Sequence, residues 1–288
     1  FSSKPGPEGY SDYHQKMSTY ATIISGHAAT LKPGVSPRVF KTPDDEEGGV
    51  FNYLETASDR VGIGALTARL EGQHIAIIGV GGTGSYILDQ IAKTPVSEIR
   101  LIDGDDFLQH NAFRAPGAPS INTLREVPKK VDYLAGIYSQ MHRHIVTHAV
   151  QISLDNLNLL DGITFAFLCM DAGEPKRLAM QKLEDMGVSF VDVGIGLELV
   201  DGSLGGILRV TTSTPEKREH IRTRVSVKES GADNVYASNI QVAELNMLNA
   251  ALAVIKWKKL LGFYRDLENE HHCSYTTDGN MLLNGDLL

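Results

Sequence analysis

A glycine-rich run, Gly79-Val80-Gly81-Gly82-Thr83-Gly84-Ser85, sits between an apolar stretch and a helical pattern. Glycines let the backbone turn tightly and come close to a phosphate. The helix that follows offers free N–H groups and the positive end of its dipole. About 20 residues past the glycines Asp103 closes the next apolar run, where a carboxylate accepts hydrogen bonds from a ribose diol. Dehydrogenases and flavoproteins share these two features, so they do not separate NAD from ATP. The continuation does: Asp103-Gly104-Asp105-Asp106-Phe107-Leu108-Gln109-His110-Asn111-Ala112-Phe113-Arg114. An asparagine and an arginine just past the ribose acid have no task in hydride transfer. They suit nucleotidyl transfer, in which charge builds on phosphate oxygens as pyrophosphate leaves. Lys130 would add a second cation. Asp171 follows a later apolar run, where ligands gather at the carboxyl ends of parallel strands. A carboxylate there suits Mg²⁺, which binds through one or two carboxylates together with substrate phosphates.

The elements needed to hold these residues are legible in the hydrophobic pattern. Short apolar runs at residues 74–79, 98–103, 144–150, 164–170 and 189–193 read as buried strands. Helical patterns at 85–93, 129–141 and 175–186 lie between them, so the fold class is α/β, a doubly wound, mostly parallel Rossmann-like sheet. Residues 195–200 and 206–210, joined at Asp201-Gly202, add an antiparallel hairpin. The polar stretch 211–237 reads as a crossing loop. Ser238 with Gln241 suggests a capping box opening a long C-terminal helix through Leu245, Leu248, Leu252, Ile255 and Leu260, stopped by Gly262. Upstream, residues 13–29 and 51–70 look helical, separated by the acidic link Asp44-Asp45-Glu46-Glu47-Gly48-Gly49. The expected organisation is an N-terminal extension over 1–50, a nucleotide-binding domain over 51–265 and a C-terminal tail over 266–288. The chain opens on Phe1, so it reads as a processed piece or the ordered part of something longer.

Taken in order, G-x-G-G-x-G-S, D-x-D with N-x-x-R, K-V-acidic and an aspartate after the fourth strand resemble the ThiF/MoeB and ubiquitin-activating superfamily. The resemblance spans about residues 60–262. It implies an ATP-dependent adenylyltransferase that charges the C-terminal carboxylate of a ubiquitin-like or sulfur-carrier protein, with ATP and Mg²⁺ as cofactors. Gly79, Gly81, Gly82, Gly84 and Ser85 would hold the nucleotide, Asp103 the ribose, and Asp105 would join them in the nucleotide site. Asn111, Arg114 and Lys130 would contact the phosphates, and Asp171 would bind the metal; Arg114, Lys130 and Asp171 would be the catalytic set. The resemblance also implies a homodimer, with Arg60 a candidate to reach into the partner's site, and a conjugating-enzyme thiol as a candidate acceptor. The wording around His110–Gly117 and residues 240–258 is similar to a bacterial branch near ubiquitin-like conjugation genes, in which residues 1–50 would be the end of a preceding domain.

Three departures bear on the chemistry. Ala115 stands where the family has a glutamine, the two Cys-x-x-Cys pairs of many members are absent, and no cysteine lies between Thr211 and Gly262. Two rivals follow. An NAD-dependent oxidoreductase explains the glycines and Asp103 but leaves Arg114 and Asp171 idle, and a nucleotide-bound pseudoenzyme scaffold accommodates Ala115 and the missing cysteine.

Bulk properties narrow the classes further. The 288 residues are 42% hydrophobic and 22% charged, an ordinary globular balance. A formal charge of −8 provides no global field for nucleic acid or anionic lipid. Two cysteines, Cys169 and Cys273, exclude a disulfide framework and a four-cysteine zinc site, and fit a reducing, cytoplasmic setting. No apolar run reaches the ~18 residues of a membrane helix. His142, His144 and His148 read as solvated or hydrogen-bonded strand-edge side chains rather than a metal set. His271-His272-Cys273 falls in the polar tail. Cys169 reads as buried and inert, and Trp257 as core at helical spacing.

Overall fold

Asp12 accepts a hydrogen bond from the Gln15 backbone N–H at 2.7 Å, and so caps helix α1 (Tyr13–Leu31). The computed structural model describes residues 6–32, 49–227 and 240–287. It divides the chain into two units, Phe1–Asp44 and Asp45–Leu288. Most of the acidic link, and Ser238 of the expected capping box, lie outside the described residues.

The single helix expected over 51–70 is instead broken into α2 (Ala57–Val61), α3 (Gly64–Thr67) and a 3-10 turn at Ala68–Leu70. Gly62 between the first two takes φ +74°, which a helix cannot continue through. The alternating units then appear in the expected order: β1 (His74–Ile78), α4 (Gly82–Ile91), β2 (Glu98–Ile102), α5 (Gln109–Ala112), α6 (Ile121–Glu126), α7 (Lys130–Tyr138), β3 (Ile145–His148), β4 (Phe165–Leu168) and α8 (Glu174–Asp185). The fifth strand and the first arm of the hairpin are one strand, β5 (Ser189–Val200), paired along its length with β6 (Ser203–Ser213). Gly194 and Gly196 do not interrupt it. A short α9 (Ile221–Arg224) and the long α10 (Ala243–Leu260) follow.

Residues beyond α10, expected to be a tail, instead supply β7 (His272–Thr276) and β8 (Met281–Asn284). The eight strands form one sheet in the order β3-β2-β1-β4-β5-β6-β7-β8. The first five pair in parallel and β5 through β8 are antiparallel.

Both faces of the central strands are covered, which explains their unbroken apolar runs. Ile75, Ile77, Phe165 and Phe167 point into one core with α4 and α10, while Ala76, Ile78, Ala166 and Leu168 point into the other with α8. Trp257, fully buried, lies against Phe165 and Phe167 with ring centroids 6.5 and 6.4 Å away. Among the described residues no helix is long and apolar enough to cross a membrane.

The histidines serve this packing. His142 Nε2 meets the Val96 carbonyl at 3.0 Å, and its Nδ1 accepts from the His144 N–H at 3.2 Å. His272 Nδ1 lies 2.9 Å from Thr211 Oγ1. Burial pushes both His142 and His272 down to about 4. An unfolded histidine takes its proton near 6.5, so the unfolded state binds more protons between roughly pH 6.5 and 4. Stability present above pH 6.5 is therefore lost as pH falls through that window, on the order of 2–3 kcal/mol per histidine. Urea midpoints measured from pH 7 to 4 should fall, and the slope should flatten in His142→Gln. A midpoint flat across that range contradicts the assignment.

Candidate functional site

The strand order places a crevice where β1 and β4 send their chains to opposite sides, at the carboxyl ends of the parallel strands. A cleft of about 880 Å³ opens there. Its glycine turn has three separate geometries. Gly79 takes φ +85°, and a Cβ on it would lie 2.6 Å from the Cys169 carbonyl oxygen. A Cβ on Gly84 would lie 1.9 Å from the Gly79 carbonyl oxygen, and one on Gly82 would meet the Asn246 side chain at 2.4 Å. These three are demanded by packing. A Cβ on Gly81 meets nothing within 4 Å, and Gly81 lines the cleft at the N-terminus of α4. Its bareness faces open space, where a ligand rather than the protein would need the room.

Asp103 directly follows β2 with both carboxylate oxygens engaged, accepting from the Val80 N–H at 2.8 Å and the Asp105 N–H at 2.9 Å. It ties the glycine turn to the next strand, leaving one lone pair per oxygen for an incoming hydroxyl. Asp105 accepts from Lys130 Nζ at 2.6 Å and from Gln151 Nε2 at 3.2 Å. The Lys130 ammonium, a hydrogen-bonded neighbour, holds the Asp105 carboxyl below its usual range. Lys130 itself is buried, with Asp103 Oδ1 at 3.9 Å. Asn111 caps its own short helix by accepting from the Leu108 N–H at 2.8 Å, but its Nδ2 is buried without a partner among the described residues. Arg114 Nε is also buried without a partner among the described residues. Burial pulls Arg114 below its ordinary range, while Asp171 and Asp105 push it back. Two donors left unpaired in a cleft wall are a standing cost in a free protein and an asset to an anion.

Asp171 lies exposed at the mouth, just past β4. Among the described residues no three His, Cys, Asp or Glu side chains gather to form a metal cage. The cleft thus joins Gly79, Gly81, Gly82, Asp103, Asp105, Asn111, Arg114, Lys130 and Asp171. It does not join Gly84 or Ser85: Ser85 is fully buried and its hydroxyl donates to the Gly82 carbonyl at 2.7 Å. Arg60 is exposed on α2 and does not line the cleft.

Sequence reading missed two sets. Thr83 Oγ1 donates to Asn246 Oδ1 at 2.9 Å, bridging the turn to α10. At the opposite end of the cleft, Lys176 of α8 and Arg209 of β6 flank Asp192 of β5 at 2.5 and 2.9 Å. Charged residues on three separate elements carry no local spacing signal. The two thiols are both unreactive in character. Burial pushes Cys169 far up, and it pushes Cys273, on β7, up to about 11.

Residues 57–263 match the ThiF family model. The chain belongs to the ThiF family. Residues 1–56 match a domain of unknown function, DUF6791. A curated relative, the tRNA threonylcarbamoyladenosine dehydratase of Haemophilus influenzae, is 43% identical over 47 residues, which is 16% of this chain and 18% of that protein. The ThiF-family fold recurs in the crystal structure of PaaA at TM-score 0.62 and 16% identity, covering 93% of each chain. It recurs in Escherichia coli MccB crystallised with MccA-N7isoASN at TM-score 0.58 and 16% identity, over 76% of this chain and 65% of that one. MccB with ATP gives TM-score 0.55 at 15% identity, over 76% and 64%. The chain thus spans just under two thirds of these two MccB chains and under a fifth of the curated relative.

Proposed function

We propose that this chain is an ATP-dependent adenylyltransferase acting on the C-terminal carboxylate of a ubiquitin-like or sulfur-carrier protein. A carboxylate oxygen bonds to the α-phosphorus of ATP, the bond to pyrophosphate breaks, and an acyl-adenylate results. The observation that carries this reading is the pair of unpartnered buried donors, Asn111 Nδ2 and Arg114 Nε, lining one cleft with Lys130 and the bare Gly81. Donors fixed in advance cost no reorganisation when charge develops, and such donors in the cleft lining suit developing phosphate charge. Asp103 would take the ribose, and the backbone N–H groups at the start of α4 the phosphates. MccB, with the same fold, has been crystallised with ATP, which supports the nucleotide assignment. An NAD-linked role leaves those donors without a task. The net charge of −8 argues against a tRNA substrate.

The test is exchange of radiolabelled pyrophosphate into ATP by the full chain with candidate carriers, alongside thermal melts with Mg-ATP and with NAD. Stabilisation by NAD and not by ATP would reverse the choice.

Asp171 fits a Mg²⁺ role as a single exposed carboxylate, since that ion takes most of its remaining oxygens from phosphate and water. Asp171→Asn is expected to raise the Mg²⁺ concentration needed for half-maximal exchange by roughly tenfold or more, with little change in nucleotide affinity measured without metal. An unaltered Mg²⁺ requirement would move the metal to Asp105.

A covalent thioester on this chain is not expected. Cys169 and Cys273 are held as thiols, and the thiolate is the nucleophile such a bond requires. A non-reducing gel of enzyme, carrier and Mg-ATP should show no thiol-sensitive adduct. An adduct that survives Cys169→Ala and vanishes in Cys273→Ala would make β7 a catalytic element. The acyl-adenylate would otherwise pass to a thiol on another protein, such as a conjugating enzyme. Action in the cytoplasm as a homodimer completes the proposal.

A further inference from the structure

The cleft crosses the carboxyl ends of several neighbouring strands, and its two ends differ in charge. On the β2 and β3 side stand Asp103, Asp105, Lys130 and Gln151. On the β5 and β6 side the lining is Val193, Gly194, Ile195, Ser226 and Arg209, with Lys176 reaching in from α8. Neighbouring strands lie about 4.8 Å apart, so the two ends are separated by roughly 15–20 Å. A nucleotide seated with its ribose on Asp103 and its phosphates on the glycine turn, one strand nearer to β5, leaves the far end free on its phosphate side.

That far end holds two cations and one carboxylate. Asp192 is fully buried, Lys176 is 3% exposed, and the distances from Asp192 are 2.5 Å to Lys176 and 2.9 Å to Arg209. Arg209 is committed on both arms, because its other guanidinium nitrogen donates to the Arg224 carbonyl. Among the described residues Lys176 has Asp192 as its sole ion-pair partner, and it has three N–H donors in all. A buried pair normally balances its charges; this cluster leaves one positive charge in excess, beside open space.

We infer that the Lys176–Asp192–Arg209 cluster is the carboxylate-reading end of the cleft, with Lys176 receiving the terminal carboxylate of the substrate tail and Arg209 holding the cluster in place. This rests on the adenylation reading for the class of substrate, a flexible chain ending in a free carboxylate. Asp192 takes part by fixing the Lys176 head group and by moderating the net charge to one.

The test is a binding titration without nucleotide. It uses the full chain and two short synthetic peptides of the same sequence ending in Gly-Gly, one a free acid and the other a C-terminal amide. A charge-assisted hydrogen bond supports roughly a tenfold preference for the acid in the unaltered protein. Lys176→Met should bring the ratio of affinities to about one, and Lys176→Arg should retain most of it. Asp192→Asn, which removes the counter-charge and leaves Lys176, should raise the ratio several-fold. The ratio is taken within each variant, so partial unfolding scales both peptides alike. Equal or absent binding of the two peptides by the unaltered protein, a preference that survives Lys176→Met, or its loss in Asp192→Asn overturns the inference. The two readings fail separately: an acid preference without pyrophosphate exchange would refute adenylation alone, and exchange without an acid preference would refute this inference alone.

Discussion

Arg114→Ala is expected to lower the rate of pyrophosphate exchange at least ~100-fold while the protein stays folded. Removing one pre-oriented donor from developing charge costs about two to three orders of magnitude in enzymes that depend on such donors. The fold should survive for a specific reason. Among the described residues Arg114 Nε has no hydrogen-bond partner, so truncation strands no buried acceptor on that atom. Burial already weighs against the guanidinium, as its lowered pKa shows. The melting temperature should therefore be unchanged or slightly higher, and kcat should fall more than the affinity for ATP. A variant with near-normal turnover would make Arg114 a structural residue.

The glycine turn yields a paired result of similar size. Gly84→Ala should destabilise the protein by about 2–3 kcal/mol and lower its Tm by roughly 5–10 °C, because the new methyl would sit 1.9 Å from the Gly79 carbonyl oxygen. Gly81→Ala should leave Tm nearly unchanged, since nothing lies within 4 Å of the added carbon. It should nonetheless weaken ATP binding ~100-fold, if phosphate oxygens approach that backbone as closely as the cleft permits. Melting curves and ATP titrations on both variants check this. Equal nucleotide affinity in Gly81→Ala and the unaltered protein would remove the glycine turn from the binding surface.

Much of this site was legible because its parts are local. Strand, glycine turn and helix lie within one short stretch, and Asp103, Asn111 and Arg114 follow on the next strand and its loop. Position along the chain then stands in for position in space. Asp171 could be placed by the same rule, as a residue one step past a parallel strand. The reading failed where roles are set by contacts between distant segments. Ser85 looks like part of the phosphate loop by spacing, yet it sits one residue too far into α4 and spends its hydroxyl on Gly82. Asn246, Lys176, Asp192 and Arg209 acquire their meaning only when α10, α8, β5 and β6 are packed. β5 was divided at Gly194, although its ladder to β6 runs through that position without a gap. The strands after α10 did leave a signal. Ser274-Tyr275-Thr276 has strand-forming types, and Asp278-Gly279 marks a tight hairpin, as the pairing of β7 with β8 bears out.

The Thr83–Asn246 bond ties the glycine turn to a residue 163 positions later. On a ribosome the turn is made early, and its partner helix leaves the exit tunnel only after more than 160 further residues have been added. Contacts of such long sequence separation form late, because the loop must close before they return anything. A truncated nascent chain lacking α10 would have the whole phosphate-loop sequence and an unseated turn. Nucleotide would then first be retained once α10 has left the exit tunnel. Ribosome-bound chains stalled with α10 inside and outside the tunnel would place the onset of retention between the two lengths.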